Sequence, residues 1–248
     1  NLRKIIYNTY IFLNEGEFME NIVIGIEGLV GAGKTSICRG LLSRIPNSII
    51  FHGGNLYRAI VYAMMKNGST LEELKKQGKS LDIKEMMDLF EVKIEIENNE
   101  TVIYIGEEKI DEDIIQSKDA SMAVSTVGGK ADNTKLFEFA KKLIDTYKKE
   151  YNVIVSGRAL ISIYPELDYH FFITASLDER VKRKCIQYKG EEDEKEIRNN
   201  IIKRDKLQEE AGFYKLSPNT KEIDVTECKT VEESTEKVLS NIKLPAMN

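Results

Sequence analysis

The sequence predicts an α/β fold: a parallel five-stranded sheet with helices on both faces, interrupted by one inserted block. Three observations carry this. Short β-branched runs, "NIVIGI" (21–26), "SIIF" (48–51), "NVIVSG" (152–157), "YHFFIT" (169–174) and "EIDVTE" (222–227), read as buried strands. Stretches with apolar residues at helical spacing separate them. Between the second and third runs, "VKIEIE" and "TVIYIG" alternate around "NNE" and predict an antiparallel hairpin over 92–106. Strand–helix alternation of this kind wraps a parallel sheet, and ligands then gather at the carboxyl ends of its strands.

In chain order, a helix is expected from Lys34 to Ser43, stopped by Pro46. "NLYRAIVYAMMKNG" (55–68) reads as a helix ending at Gly68, and residues 71–90 as short helices. After the hairpin, "KDASMAVSTVGG" and "NTKLFEFAKKLIDTYKKEY" read as helices. "SLDERVKRKCIQY" has a Ser cap and an acidic first turn, which places a helix at 176–188. The charged tip "KGEEDEKE" precedes a second long helix to about 210, and "TVEESTEKVLSNI" supplies the last one.

The 248 residues suffice for one domain with a modest insertion. With a formal net charge of −5, the chain has no general attraction for nucleic acid, so that class of partner is not expected. No apolar run reaches the roughly 18 residues that span a membrane, so none is expected there either. The cysteines Cys38, Cys185 and Cys228 are dispersed and odd in number, a pattern of reduced thiols that suggests a cytoplasmic protein. Residues 1–19 begin basic and then apolar, but Asn8, Thr9 and Asn14 break the run and no small-residue cleavage site follows. A flexible extension ahead of a domain over 20–248 is the expectation.

The chemistry-bearing stretch is "GIEGLVGAGKTS", which fits G-x-x-x-x-G-K-[ST] in full. Gly28, Leu29, Val30, Gly31, Ala32, Gly33, Lys34, Thr35 and Ser36 lie between a strand and a helix, where main-chain N–H groups can converge on an anion. Lys34 would meet the β- and γ-phosphates of ATP, and the Thr35 hydroxyl would meet Mg²⁺. The fold class is thereby narrowed to the P-loop NTPase type. No N-K-x-D guanine reader occurs, and the strand "VIVSGR" ends without the Asp expected of motors. A small-molecule kinase fits better. Arg58 and Arg158 stand near strand ends and Arg204 on the arm formed by the helix at 176–188, the charged tip and the helix to about 210; all three could converge on a phosphate-bearing acceptor. His52 stands at that edge too, and a substrate contact is conceivable there. Cys38, Cys185 and His170 read as structural.

On these residues the chain resembles the cytidylate (CMP/dCMP) kinases. The similar pieces are "IGIEGLVGAGKTSICRGL", "HGGNLYRAI" against a D-S-G-x-x-Y-R pattern, the hairpin, "SGRAL" against D-G-R-D, "FFITASLDERVKRK" and "IIKRD". The resemblance implies an acceptor-binding insert over about 52–135 and a helical lid over about 184–196. It implies Gly53, Tyr57, Arg58, Arg158, Arg204 and Asp205 at a nucleoside monophosphate, and Lys34, Arg158, Arg180 and Arg183 as the groups that spread charge during transfer. Departures fall on base- and sugar-reading positions: His52-Gly53, Ala159, and the run from Lys206 through Gln208 to Ala211. Lys135 is the nearest match to a basic residue after the hairpin. The reaction class is thus better supported than the acceptor. A same-fold kinase for another metabolite, or a nucleotide-binding protein without catalysis, stays open, and the sequence is silent on oligomeric state.

Overall fold

The structure, a computed structural model, describes residues 20–66, 87–88, 91–110 and 134–243. The expected extension at 1–19, the helix over 118–129 and nearly all of 71–90 lie outside these residues, as do the side chains of Tyr57 and Lys135. The described elements are β1 (Val23–Gly28), α1 (Lys34–Leu42), β2 (Ser48–His52), α2 (Gly53–Lys66), β3 (Val92–Glu97), β4 (Glu100–Ile105), β5 (Glu108–Lys109), α3 (Thr134–Lys148), β6 (Asn152–Ser156), α4 (Leu160–Ile163), β7 (Tyr169–Thr174), α5 (Leu177–Gln187), α6 (Glu194–Glu210), β8 (Thr220–Asp224) and α7 (Val231–Leu239). None of the described helices is long and apolar enough to cross a membrane.

The five expected strands are parallel neighbours in the order β2-β6-β1-β7-β8. The sheet is larger than expected. The hairpin β3–β4 joins its β2 edge through a parallel bridge between Ile50 and Glu100, and β5 pairs with β4. The hairpin is therefore part of the main sheet.

Strand alternation explains the two-sided core. Ile24, Ile26, Ile154, Phe171 and Ile173 pack with Ile37, Cys38 and Leu41 of α1 and Val238 of α7. The alternate residues Val23, Val153 and Val155 pack with Ala140 and Ile144 of α3, Leu160 and Tyr164. A third, smaller cluster joins Val181 of α5 and Ile197 and Ile201 of α6 to Val30 of the glycine-rich loop. The two arm helices thus pack directly against that loop. Both have side-chain caps, the first of them expected: Ser176 Oγ accepts from Glu179 N (3.3 Å), and Asp193 Oδ1 accepts from Lys195 N (2.9 Å) and Glu196 N (3.1 Å).

Register aligns the strand ends that matter. Ser156 of β6 pairs with Ile26 of β1 on one side and His52 of β2 on the other. The segments that follow these strands, at 28–36, 53–58 and 157–160, therefore start from one edge of the sheet.

Candidate active site

The loop after β1 turns sharply because its glycines permit it. A Cβ on Gly28 would lie 2.1 Å from Ile173 O, so only glycine lets the chain leave β1 against β7. Gly33 holds φ +95° at the start of α1, where no side chain caps the helix, so its first N–H groups are left for an anion. Lys34 Nζ donates to Gly28 O (2.9 Å) and Leu29 O (2.8 Å), which fixes the ammonium against its own loop. Thr35 and Ser36 lie in the first turn of α1. Among the described residues, no cluster of three His, Cys, Asp or Glu could hold a metal. A cation here would depend on Thr35 and on ligand oxygens, which suits Mg²⁺ with its preference for phosphate and water.

The arm braces the loop from outside. Val30 N donates to Asp205 Oδ1 (3.1 Å) while Val30 O accepts from Arg180 Nη1 (3.1 Å). Arg180 also pairs with Asp205 and donates to Ala175 O (3.0 Å). Arg183 donates to Ala32 O (3.2 Å), Val225 O (2.8 Å) and Cys228 O (3.3 Å), and its Nε donates to Glu179 (3.0 Å). Both arginines were expected to face the transferring group. The structure places them as struts on main-chain carbonyls of the loop and its neighbours. Asp205, expected on the acceptor side, is turned onto Val30 of the donor loop. Buried carbonyls need donors, and a guanidinium supplies several at once, which is why these side chains stay there.

Other cations do converge. Burial holds the Lys34 ammonium well below the usual lysine value; Arg158, Arg204 and Arg58 push it the same way, and Asp205 opposes them. Lys184, from α5, is lowered to about 8 by burial and then by Arg204 and Arg58. Arg204 is lowered to about 10 by burial and by Arg158, and its buried Nε has no hydrogen-bond partner among the described residues. Arg158 is lowered chiefly by burial. Its Nε donates to Gln208 Oε1 (2.6 Å), and Arg58 Nη1 donates to Asn55 Oδ1 (3.2 Å). Such mutual depression means that like charges from α1, α2, α5, α6 and the loop after β6 share one region.

The buried carboxylates nearby, Glu27 and Asp205, are already engaged. Glu27, almost fully buried, accepts from Leu160 N (3.0 Å) and contacts His170 Nε2 (2.6 Å). Asp205 serves Val30, Arg180 and Tyr214. His52, at the same edge, has a buried ring that meets Glu100 Oε2 (2.9 Å). Glu100 is held down to about 2, first by His52. Gly53, where β2 passes into α2, has room for a side chain, since an added Cβ would make only ordinary contacts. Cys38 lies buried beneath the loop and burial pushes its thiol up to about 12, so it is inert.

Sequence reasoning missed Lys184 and Tyr214. Lys184 had a signal, since it falls four residues after Arg180 on the same helix face. Tyr214 had none; it lies between α6 and β8 with no motif around it.

The arrangement is a glycine-rich loop open to an anion, beside a cluster of converging cations. Comparison with known proteins agrees in kind. The family model for cytidylate kinase matches residues 24–244. A cytidylate kinase of Clostridioides difficile (strain 630) is 31% identical over 235 residues, spanning 91% of this chain and 100% of that protein. A cytidylate kinase of Caldicellulosiruptor bescii is 27% identical and spans 89% of this chain and 95% of that protein. One from Aquifex aeolicus is 29% identical, with 88% and 95% spanned. With the motif, the sheet and a match along nearly the whole chain in agreement, the protein belongs to the cytidylate kinase family of phosphotransferases.

Proposed function

We propose that the chain transfers the terminal phosphoryl group of ATP to a nucleoside monophosphate, with CMP and dCMP foremost. One observation carries the choice of acceptor. Lys34, Arg58, Arg158, Lys184 and Arg204 converge, while the carboxylates that act on Lys34 and Arg158, Glu27 and Asp205, are already bound to other groups. A hydroxyl acceptor, as on a sugar or an antibiotic, calls for a general base. A phosphate monoester is dianionic near neutral pH, with a second pKa of about 6, and needs none. A cluster of cations whose buried carboxylates are already engaged therefore favours a phosphate acceptor.

In this reading Lys34 and the main-chain N–H groups of 31–36 hold the donor's phosphates, and Arg58, Arg158 and Arg204 hold the acceptor's. Mg²⁺, held through Thr35, would neutralise phosphate charge. An acceptor oxygen bonds to the γ-phosphorus as its bond to the bridging oxygen breaks, and the electron pair leaves on ADP. The protein's share is placement and charge neutralisation. Arg180 and Arg183 act indirectly, by fixing the loop.

A coupled ADP-release assay over monophosphates, with CMP, dCMP and UMP first, tests this. Turnover with CMP or dCMP is expected. ATP binding without turnover on any acceptor would mean a nucleotide-binding protein, and turnover only on a hydroxyl acceptor would overturn the choice above. Lys34→Ala is expected to abolish transfer. Arg158→Ala is expected to raise the acceptor KM by more than tenfold and the ATP KM by less than about threefold. Equal rises in both would remove the case for a separate acceptor clamp.

A further inference from the structure

Tyr214 sits where the arm meets both halves of the site. Its ring packs edge-on against Phe172, with centroids 5.4 Å apart, and its hydroxyl contacts Gln208 Oε1 (2.6 Å) and Asp205 Oδ1 (2.8 Å). Gln208, only 3% exposed, also accepts from Arg158 Nε (2.6 Å). The orientation of this amide is fixed chemically. A guanidinium can only donate, so Gln208 must offer its oxygen there. Asp205, on the other side, accepts from Val30 N of the donor loop (3.1 Å). A continuous chain thus runs Val30, Asp205, Tyr214, Gln208, Arg158.

The middle of that chain offers the phenol proton a choice between two acceptors. The phenol has one proton and two acceptors, Asp205 and Gln208. If the Val30 N–H moves off Asp205, the carboxylate gains a stronger claim on the phenol proton, and Gln208 is left to Arg158 alone. If Val30 holds Asp205, the proton shifts toward Gln208 and competes with Arg158 for its oxygen. One element is therefore biased from both ends, which is the physical requirement for coupling two sites.

We propose that Tyr214 is a positioning residue that couples the glycine-rich donor loop to Arg158, so that donor occupancy sets the aim of the acceptor arginine. This rests on the phosphotransfer reading of Arg158. The hydroxyl carries the effect, and the ring only anchors it.

Tyr214→Phe keeps the ring against Phe172 and removes the link. Kinetics, thermal melting and CMP binding with and without a non-hydrolysable ATP analogue are measured on the full chain. The expected result is an acceptor KM raised roughly tenfold, as for loss of a charge-assisted link, with the ATP KM within about threefold. Any strengthening of CMP binding by the ATP analogue is expected to vanish. A lower melting temperature with KM values and coupling at the wild-type level would overturn the proposal. If Tyr214→Phe does not fold, Gln208→Leu breaks the next link and is expected to give the same loss of coupling. If the wild type phosphorylates no monophosphate, the phosphotransfer reading has failed on its own. Coupling between MgADP and inorganic phosphate, compared in wild type and Tyr214→Phe, then still decides: equal coupling in both sinks the role of Tyr214.

Discussion

Lys184 shows how one residue can set a pH dependence. Its ammonium is lowered to about 8 by burial and by Arg204 and Arg58, so in the free protein its charge is lost as pH rises through that value. A bound anion favours the charged form, so binding near pH 8 takes up a proton. The acceptor's phosphate stays dianionic across this range, its second pKa being about 6. Affinity for CMP is therefore expected to fall up to about tenfold between pH 7 and 9, with proton uptake seen as a buffer-dependent heat in calorimetry. In Lys184→Arg the step is expected to disappear, because a guanidinium stays charged throughout. A pH step that persists in that variant would assign it to another group. For stability the sign is opposite. The depressed value means that the free fold gains as pH rises from about 8 toward the ordinary lysine range.

Among the elements, the contact of α1 with α7 is the tightest test of packing. A Cβ on Gly40 would stand 2.1 Å from Thr235 Oγ1, 2.9 Å from its Cγ2 and 3.0 Å from its Cβ. In an isolated helix Gly→Ala would gain about 1 kcal/mol, but overpacking here costs roughly 1–3 kcal/mol. Denaturant melts are expected to show Gly40→Ala destabilised, with Thr235→Ala in the same chain recovering more than half of the loss. A neutral Gly40→Ala would refute the close approach. This glycine illustrates what a single sequence conceals. The helix over 34–43 was legible from its period, but the partner that demands a glycine is far along the chain. The same holds for the arm. Its two helices and their Ser176 and Asp193 caps follow from local chemistry, whereas the attachment of Arg180 and Arg183 to loop carbonyls depends on contacts that spacing cannot encode. The hairpin at 92–106 was legible from alternation, but its bridge to β2 was not, since one pair, Ile50 with Glu100, makes the join. The glycine-rich loop was read in full because the motif is contiguous. The approach of Arg58 and Arg158 to one edge was legible because strand ends collect function, and Tyr214 escaped because it follows no strand and no motif.

At the scale of the whole molecule, an acidic chain with a formal charge of −5 concentrates cations at one edge of its sheet. Lys34, Arg58, Arg158, Lys184 and Arg204 repel one another, and Arg204 has a buried Nε without a hydrogen-bond partner among the described residues. Such a cluster costs stability in the free protein and recovers it when a polyanion binds. Replacing Arg204 with Met, which is similar in length and uncharged, is therefore expected to raise the free protein's unfolding free energy by about 1–2 kcal/mol. The same change is expected to lower kcat/KM by a hundredfold or more, as for loss of a charge-assisted clamp on the acceptor's phosphate. It should also shrink the rise in melting temperature produced by MgATP with CMP, because less repulsion remains for the ligands to relieve. Thermal melts with and without ligand, run beside the ADP-release assay, check both halves. An Arg204→Met protein less stable than wild type without ligand would show that Arg204 is held by favourable contacts, and that the edge is not strained by its charge.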